Sequence, residues 1–487
     1  MALNTKDYNP SRATIDRAVL FTYGTPPGGE GVNITSMVTG FSLTQSIAQN
    51  SYIGTILIED RVGLLENAMP RTKEDAEAGG SSARNLSPLR GEERLQLSIK
   101  GYDLGTVVNM DVRIYKIDGI TPTASLDGKT FAMHFTSTSS FKTIGKRVVK
   151  PFYDVFASTA AKRVFEEYFG GLNDGANYSS GKDGEKVPPR SARYDLKSES
   201  ERHFYLQRTE GVKRLVIPNY NPAQTMNFLA RESFSSRSPS CTFRFFETVD
   251  GYYFVTDEWL IEFANLNEDK TESGIIDLVF NPYGSNVGTQ TESQIQTIEK
   301  LSYPSRVDTS ADFYSGGYRN NVIEVDINRK RVLNQRFNYE EIGNFLNMNA
   351  DKKSIIEDDV HSLPFIKDNF DRDSERTFMV VRDYGTQPNA SIIVKNEQHF
   401  SEIVSNRVAY NHHLNRTPLT LELKGRLDIK PGKVVNITMP DLSALSGTQK
   451  HQHEQLSGKY LVKETLHSIE DNILSTRLSV TKFDWST

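Results

Sequence analysis

The stretch that most constrains the fold is Thr417 to Trp485, where apolar residues recur at alternate positions between turn signals. Leu419, Leu421 and Leu423 alternate with Thr420, Glu422 and Lys424, the period of a strand with one buried face. Lys430-Pro431-Gly432-Lys433 breaks the run, because Pro and Gly fit a tight turn and do not continue a central strand. Val434, Val435, Ile437 and Met439 form the next strand. After a polar loop come Tyr460, Val462, Thr465 and Leu466, then Ile473, Leu474, Leu478 and Val480, running to Phe483 and Trp485. Glu470-Asp471-Asn472 is the turn between the last two. The pattern predicts one antiparallel meander closed by aromatics.

At 487 residues the chain has room for about two to four domains. A formal net charge of -5 argues against a dedicated duplex-binding protein, which would carry a basic face. The single Cys241 excludes an internal disulfide framework and any multi-cysteine metal site. The first residues lack the apolar core of a signal peptide, and no run of about eighteen apolar residues occurs. A protein made and assembled in cytosol is expected.

Residues 12–143 read as mostly strand, with a polar insert from Arg71 to Arg90. Strands are predicted at Leu95–Ile99, Val107–Ile117 and Phe131–Phe135. Leu95-Gln96-Leu97-Ser98-Ile99-Lys100-Gly101 echoes Leu419-Thr420-Leu421-Glu422-Leu423-Lys424-Gly425. Chance recurrence of a common strand pattern and duplication of a barrel-like domain both account for it. Pro151–Phe169 fits a helix with Phe156, Ala160, Val164 and Tyr168 on one face. Asn173–Ser200 is polar loop, Asn221-Pro222 opens a second helix, and Asp250-Gly251 marks a hairpin between strands at Cys241–Phe246 and Tyr252–Thr256. This predicts an inserted α/β domain at 144–270. Strand-like character returns over 271–335, residues 336–413 are irregular and charged with a helix near Glu397–Leu414, and 414–487 closes the chain.

No catalytic, cofactor-binding or metal-ligating residue emerges. His451 and His453 could share one side of a strand, but they sit among Gln449, Gln452 and Gln455 without a third ligand at metal spacing. His412-His413 is no better placed. Glu166-Glu167 and Glu340-Glu341 are adjacent pairs, which on a helix do not face one another as a glycosidase pair must. Cys241 reads as a packed strand residue. The basic clusters Gly145-Lys146-Arg147 and Arg329-Lys330-Arg331 lack the interleaved aromatics of a single-strand binding groove. Phosphate-loop and nucleophile-elbow motifs are absent.

Leu423-Lys-Gly-Arg-Leu-Asp-Ile-Lys-Pro-Gly-Lys-Val-Val, Leu456-Ser-Gly-Lys-Tyr-Leu-Val-Lys-Glu-Thr-Leu-His-Ser-Ile and Thr476-Arg-Leu-Ser-Val together resemble the closing strands of the baseplate central hub proteins of contractile-tailed bacteriophages. That family includes the T-even hub, the late-control tail proteins and the hub half of type VI secretion spike proteins. Val149-Lys-Pro-Phe-Tyr resembles the start of the family's mixed domain. The resemblance implies an α+β, mainly antiparallel β protein: two barrel-like tube domains (12–143; 271–335 with 414–487), an inserted α/β domain (144–270) and an insertion at 336–413.

It further implies a non-enzymatic homotrimer at the tail baseplate of a virion, assembled in host cytoplasm. Its partners would be a separate central spike protein, a tail tube or tube-initiator protein and baseplate wedge proteins, with genomic DNA passing through and no membrane span. Inserts near 71–90, 173–200 and 336–413 depart from compact hubs and leave the docking surfaces open. The competing readings are a tail-associated cell-wall hydrolase, which needs a carboxylate pair in a pocket, and a distal-tail or receptor-binding module.

Overall fold

The computed structural model describes residues 12–22, 29–61, 89–101, 106–122, 128–177, 185–197, 202–238, 240–268, 274–280, 296–302, 319–327, 330–338, 376–382, 403–408, 410–411, 418–439 and 456–482. The N-terminal part holds β1 (Ala13–Phe21), β2 (Val32–Asn33), β3 (Val38–Ser46), β4 (Ile53–Asp60), β5 (Arg94–Gly101), β6 (Val107–Pro122) and β7 (Lys129–Ser137). The middle holds α1 (Thr138–Thr143), β8 (Val148–Phe156), α2 (Ala157–Tyr168), β9 (Leu172–Asn177), β10 (Ser191–Leu196), β11 (His203–Gln207), β12 (Val212–Tyr220), α3 (Pro222–Arg231), β13 (Arg244–Glu247), β14 (Gly251–Val255) and α4 (Asp257–Leu266). The last part holds β15 (Ile276–Phe280), β16 (Thr297–Ser302), β17 (Arg319–Asp326), β18 (Arg331–Asn338), β19 (Arg376–Arg382), β20 (Pro418–Lys424), β21 (Val434–Thr438), β22 (Gly458–Glu470) and β23 (Ile473–Lys482).

One sheet runs β2-β1-β5-β6-β7-β4-β3-β22-β21-β15-β16-β20-β23. Because β23 also pairs with β22, its last six strands close into a barrel. The expected meander is therefore not formed. β20 lies between β16 and β23 and does not pair with β21, so β20 to β23 connect as a Greek key. The local turns are as read: Gly432 has φ 87°, and Asp471 and Asn472 have φ 50° and 61°, the left-handed pair of a two-residue hairpin turn.

The strand order occurs twice. In space the first part runs β1-β5-β6-β7-β4-β3, and the last part runs β15-β21-β22-β23-β20-β16. Matched in chain order, β1, β3, β4, β5, β6 and β7 correspond to β15, β16, β20, β21, β22 and β23. Only β15 runs the other way from its counterpart, pairing parallel with β21 and β16. The Leu-Lys-Gly echo falls on β5 and β20, which are not counterparts, so it is a recurring local strand pattern and not the trace of this repeat.

The two parts share the β22–β23 hairpin. Its base packs Tyr460, Val462, Leu478 and Val480 into the C-terminal core with Leu421, Val435 and Ile437. Its far half runs along β3, from Glu464 opposite Ser46 to Glu470 opposite Gly40. The tip then meets β1 through the Arg12–Ile473 bridge and Ala13 N donating to Asn472 O at 3.0 Å. Ile469 and Leu474 thus lie in the N-terminal core beside Leu20, Phe41 and Phe131. A Cβ at Gly425 would come within 2.5 Å of Leu474, so the chain passing the tip must be glycine.

The middle region carries the sheet β13-β14-β11-β10-β9 and the ribbon β12-β8. Here the predicted helix over Pro151–Phe169 needs correction. Residues 148–156 are strand, paired with β12, and the helix starts at Ala157. Val148 and Phe152 point inward on the strand, then Ala160, Ala161, Val164 and Phe165 on the helix, while Phe156 is exposed. Asn221 caps α3 with a reciprocal box to Gln224, and Pro222 occupies the first turn. Cys241 is not in a strand. It has φ 53° and lies buried against Phe234 and Ile403, with the strand beginning at Arg244. Of the predicted helix at Glu397–Leu414, residues 403–408 and 410–411 are helical. No helix among the described residues is long and apolar enough to cross a membrane.

Candidate assembly interface

The residues that hold the three regions in fixed relation converge on the turn between β13 and β14. Phe245 and Tyr252 alternate into the core of the middle region, which projects Thr248, Val249 and Asp250 outward toward both β parts. Val249 enters the N-terminal core, and its N–H donates to Gln45 Oε1 on β3 at 3.0 Å. Glu247 accepts from the Ser137 hydroxyl at the end of β7 at 2.6 Å and from the Arg202 guanidinium. Arg202 also donates to Thr248 O at 3.1 Å and lies over the Tyr252 ring. On the other side Asp250 pairs with Lys430, in the loop before β21. Burial pushes the Glu247 carboxyl above its ordinary range despite the Arg202 charge and its hydrogen bonds. Taking these two charges out of water costs free energy, which their attraction and the hydrogen bonds to Ser137 and Thr248 offset.

A second contact lies beside it. Trp259, Leu260 and Ala264 of α4 pack with Val434 and Leu461, and with Phe246 and Tyr205. Gly432 approaches so closely that a Cβ would meet Leu260 at 3.1 Å. Thr256 caps α4 at the Trp259 N–H, and Trp259 Nε1 donates to Ser191 Oγ.

Glu258 on the same helix accepts from Ser240 N at 3.0 Å, but its Oε2 is buried and has no partner among the described residues. Burial pushes its carboxyl up to about 7. A raised folded-state value contributes stability that is fully present below about pH 4.5 and is lost as pH rises through about 7. Glu258→Gln keeps the acceptor and cannot ionise. It is expected to gain about 3 kcal/mol on the wild type between pH 4.5 and pH 8 in urea denaturation. A constant difference across that range would overturn this assignment.

Other polar groups in the middle region are similarly committed. Asp195 lies 2.8 Å from His203 Nδ1, and Arg193 reaches the ring's other nitrogen. A guanidinium only donates, so Nε2 is the acceptor and is not free to take a proton from a nucleophile. Burial first, then the Arg193 charge, lowers the His203 pKa. Arg193 also pairs with Glu185, which accepts from Tyr205 Oη at 3.0 Å. His467 on β22 is buried with Nδ1 3.1 Å from Thr476 Oγ1, and burial lowers its pKa to about 4.

Glu166 and Glu167 lie on the exposed side of α2, paired with Lys162 and Lys150, and do not converge. Lys146 and Arg147 are exposed at the start of the β8–β12 ribbon. His412, His413, His451, His453, Glu340, Glu341, Arg329 and the aromatics Phe483 and Trp485 lie outside the described residues. Among the described residues, no three of His, Cys, Asp and Glu group as metal ligands would. Sequence reasoning missed the β13–β14 turn as a junction. The signal available was Val249, an apolar residue at a turn tip where polar residues are the rule.

No protein-family model matches the chain, and no curated protein matches it in sequence. Among solved structures, a tail protein from Neisseria meningitidis MC58 is similar at 10% identity, with a TM-score of 0.47 over 96% of both chains. A 43 kDa tail protein of prophage MuSo2 from Shewanella oneidensis gives 11% identity and 0.43 over 96% of this chain and 97% of that one. A chain of the Francisella PdpA–VgrG complex gives 10% and 0.42, over 98% of this chain and 54% of that one. What the chain resembles in structure is phage tail and spike-complex proteins.

Proposed function

We propose that the protein is the central hub of a phage tail baseplate, a structural trimer that joins a sixfold tail tube to a threefold spike around a channel for DNA. The observation that carries this reading is the twofold occurrence of one six-strand order within a single chain. A chain with two similar β units offers two similar docking surfaces, so three copies give six. That is what a ring needs to meet a sixfold partner on one side and a threefold partner on the other. On this reading residues 12–143 form one barrel-like tube domain and residues 271–335 with 414–487 form the other. Residues 144–270 are an inserted domain held between them by the Val249 turn, and 336–413 are an insertion. Tube, spike and wedge proteins are the partners, and the assembly sits in the virion tail.

Sedimentation of the purified chain at several concentrations tests it. The expected mass is three times the 54.9 kDa of one chain, alone or on adding a spike protein. A lasting monomer that clears peptidoglycan would overturn the hub and favour a hydrolase.

A further inference from the structure

A cleft of about 520 Å³ opens where the N-terminal β part meets the middle region. Its first wall is the turn between β3 and β4, from Ala48 to Ser51, with Ile53 at the start of β4. Its second is α1 and the residue after it, which present Ser140, Thr143 and Ile144 at helical spacing. The third is α3, with Ala223 and Asn227 one turn apart behind the cap Asn221. We propose that this cleft binds a neutral sugar carrying an acetamido group. The inference goes beyond the hub reading and does not rest on it.

The walls are held in place by the chain itself. Ile47 N donates to Lys463 O at 2.9 Å and Gln49 N to Ser46 O at 3.2 Å. The Ser51 hydroxyl meets that of Thr136 on β7 at 2.9 Å. Ser137 caps α1 at the Ser140 N–H, and the box between Asn221 and Gln224 closes the start of α3. The cleft falls within the roughly 300–1,000 Å³ usual for small-molecule sites and lies between two regions, where such sites concentrate. Fixed walls leave little ordering cost for a ligand to offset.

What the walls offer is polar and uncharged. The side chains of Gln49, Asn50 and Asn227 and the Ser140 hydroxyl have no hydrogen-bond partner among the described residues. Asn221 accepts from Gln224 N at 2.7 Å through its oxygen, which leaves its amide N–H groups as donors. Among the described residues, no Asp, Glu, Lys, Arg or His lines the cleft. An ion would lose its hydration here without an opposing charge, and a hydrocarbon would strand the amides. A carboxamide carries donors and an acceptor side by side, which suits groups that do both, hydroxyls and secondary amides. An acetamido sugar has both, and its methyl group has apolar neighbours in Ala48, Ala223 and Ile144, the last 57% exposed. An extended peptide offers amides but not the hydroxyls that Ser140 and the remaining carboxamides match.

Saturation-transfer NMR on the full chain tests this, with N,N′-diacetylchitobiose at millimolar concentration as the ligand. Saturation is expected at its acetamido methyl protons. Cellobiose, which has the same linkage without acetamido groups, and acetyl-trialanine amide are each expected to bind at least about tenfold more weakly. Asn50→Ala with Asn227→Ala removes two side chains that hold nothing else in the described structure, and Ala223→Phe fills the cleft from α3. Each variant is expected to lose the chitobiose signal at unchanged thermal unfolding. No signal from the wild type, or a signal that survives in the variants, overturns the proposal. An equal signal from cellobiose overturns the acetamido assignment, and a stronger one from the peptide replaces the sugar with a peptide segment. Should one variant not fold, the other decides. The sedimentation mass is read separately, so the hub reading stands or fails independently of this site.

Discussion

Glu247→Ala is expected to destabilise the protein by about 3–5 kcal/mol at pH 7, read as a lower urea midpoint at unchanged slope. The carboxylate is fully buried and receives both the Ser137 hydroxyl and the Arg202 guanidinium. Removing it leaves a cation and a hydroxyl in a site sealed by the Val249 turn. The cost comes from the stranded charge more than from the lost attraction. Arg202→Met added to Glu247→Ala should therefore recover part of the loss, even though Arg202 also bonds Thr248 O. A double variant weaker than the single one by the full cost of removing Arg202 would show that the pair stabilises the fold on balance. A single variant within about 0.5 kcal/mol of wild type would remove this turn from the framework altogether.

Leu474→Ala is the second large effect, expected at about 2–5 kcal/mol. Leu474 is buried in the N-terminal core although it belongs to the last strand of the chain. Gly425 passes directly against it, so the space left by the side chain is lined by fixed backbone and collapses poorly. The unfolding transition should stay single and move as a whole, because the same hairpin carries Leu478 and Val480 in the C-terminal core. Two separated transitions, with the later one at the wild-type midpoint, would show that the two β units are thermodynamically independent.

Much of the secondary structure was legible because period-two patterning reports burial directly. Leu419, Leu421 and Leu423 all face the core, and the turns at Gly432 and Asp471-Asn472 fall where Gly, Asp and Asn were read. Strand partners were not legible. Nothing local in Pro418–Lys424 says that its neighbours are β16 and β23 and not β21, since that choice depends on packing across more than a hundred residues of sequence. Val148–Phe156 failed for a related reason. Its residues fit a helical face as well as a strand, and the tie is broken by β12, some sixty residues downstream. Cys241 was misplaced because a left-handed backbone at a non-glycine residue leaves no compositional signal. The side-chain echo links β5 and β20, which are not counterparts, whereas the repeat resides in connectivity.

The shared hairpin also sets a schedule for synthesis. β3 emerges from the ribosome with the edge that β22 will cover still unpaired, and that strand is among the last to be made. At about 5–20 residues per second, the N-terminal sheet waits roughly 20–70 s after β7 for the residues that complete it. During that interval a growing chain presents the open edge of β3, from Gly40 to Ser46, to every other growing chain on the same message. The acceptor edge must discriminate its own C-terminus from a neighbour's, and the same complementarity that finishes one subunit can tether two.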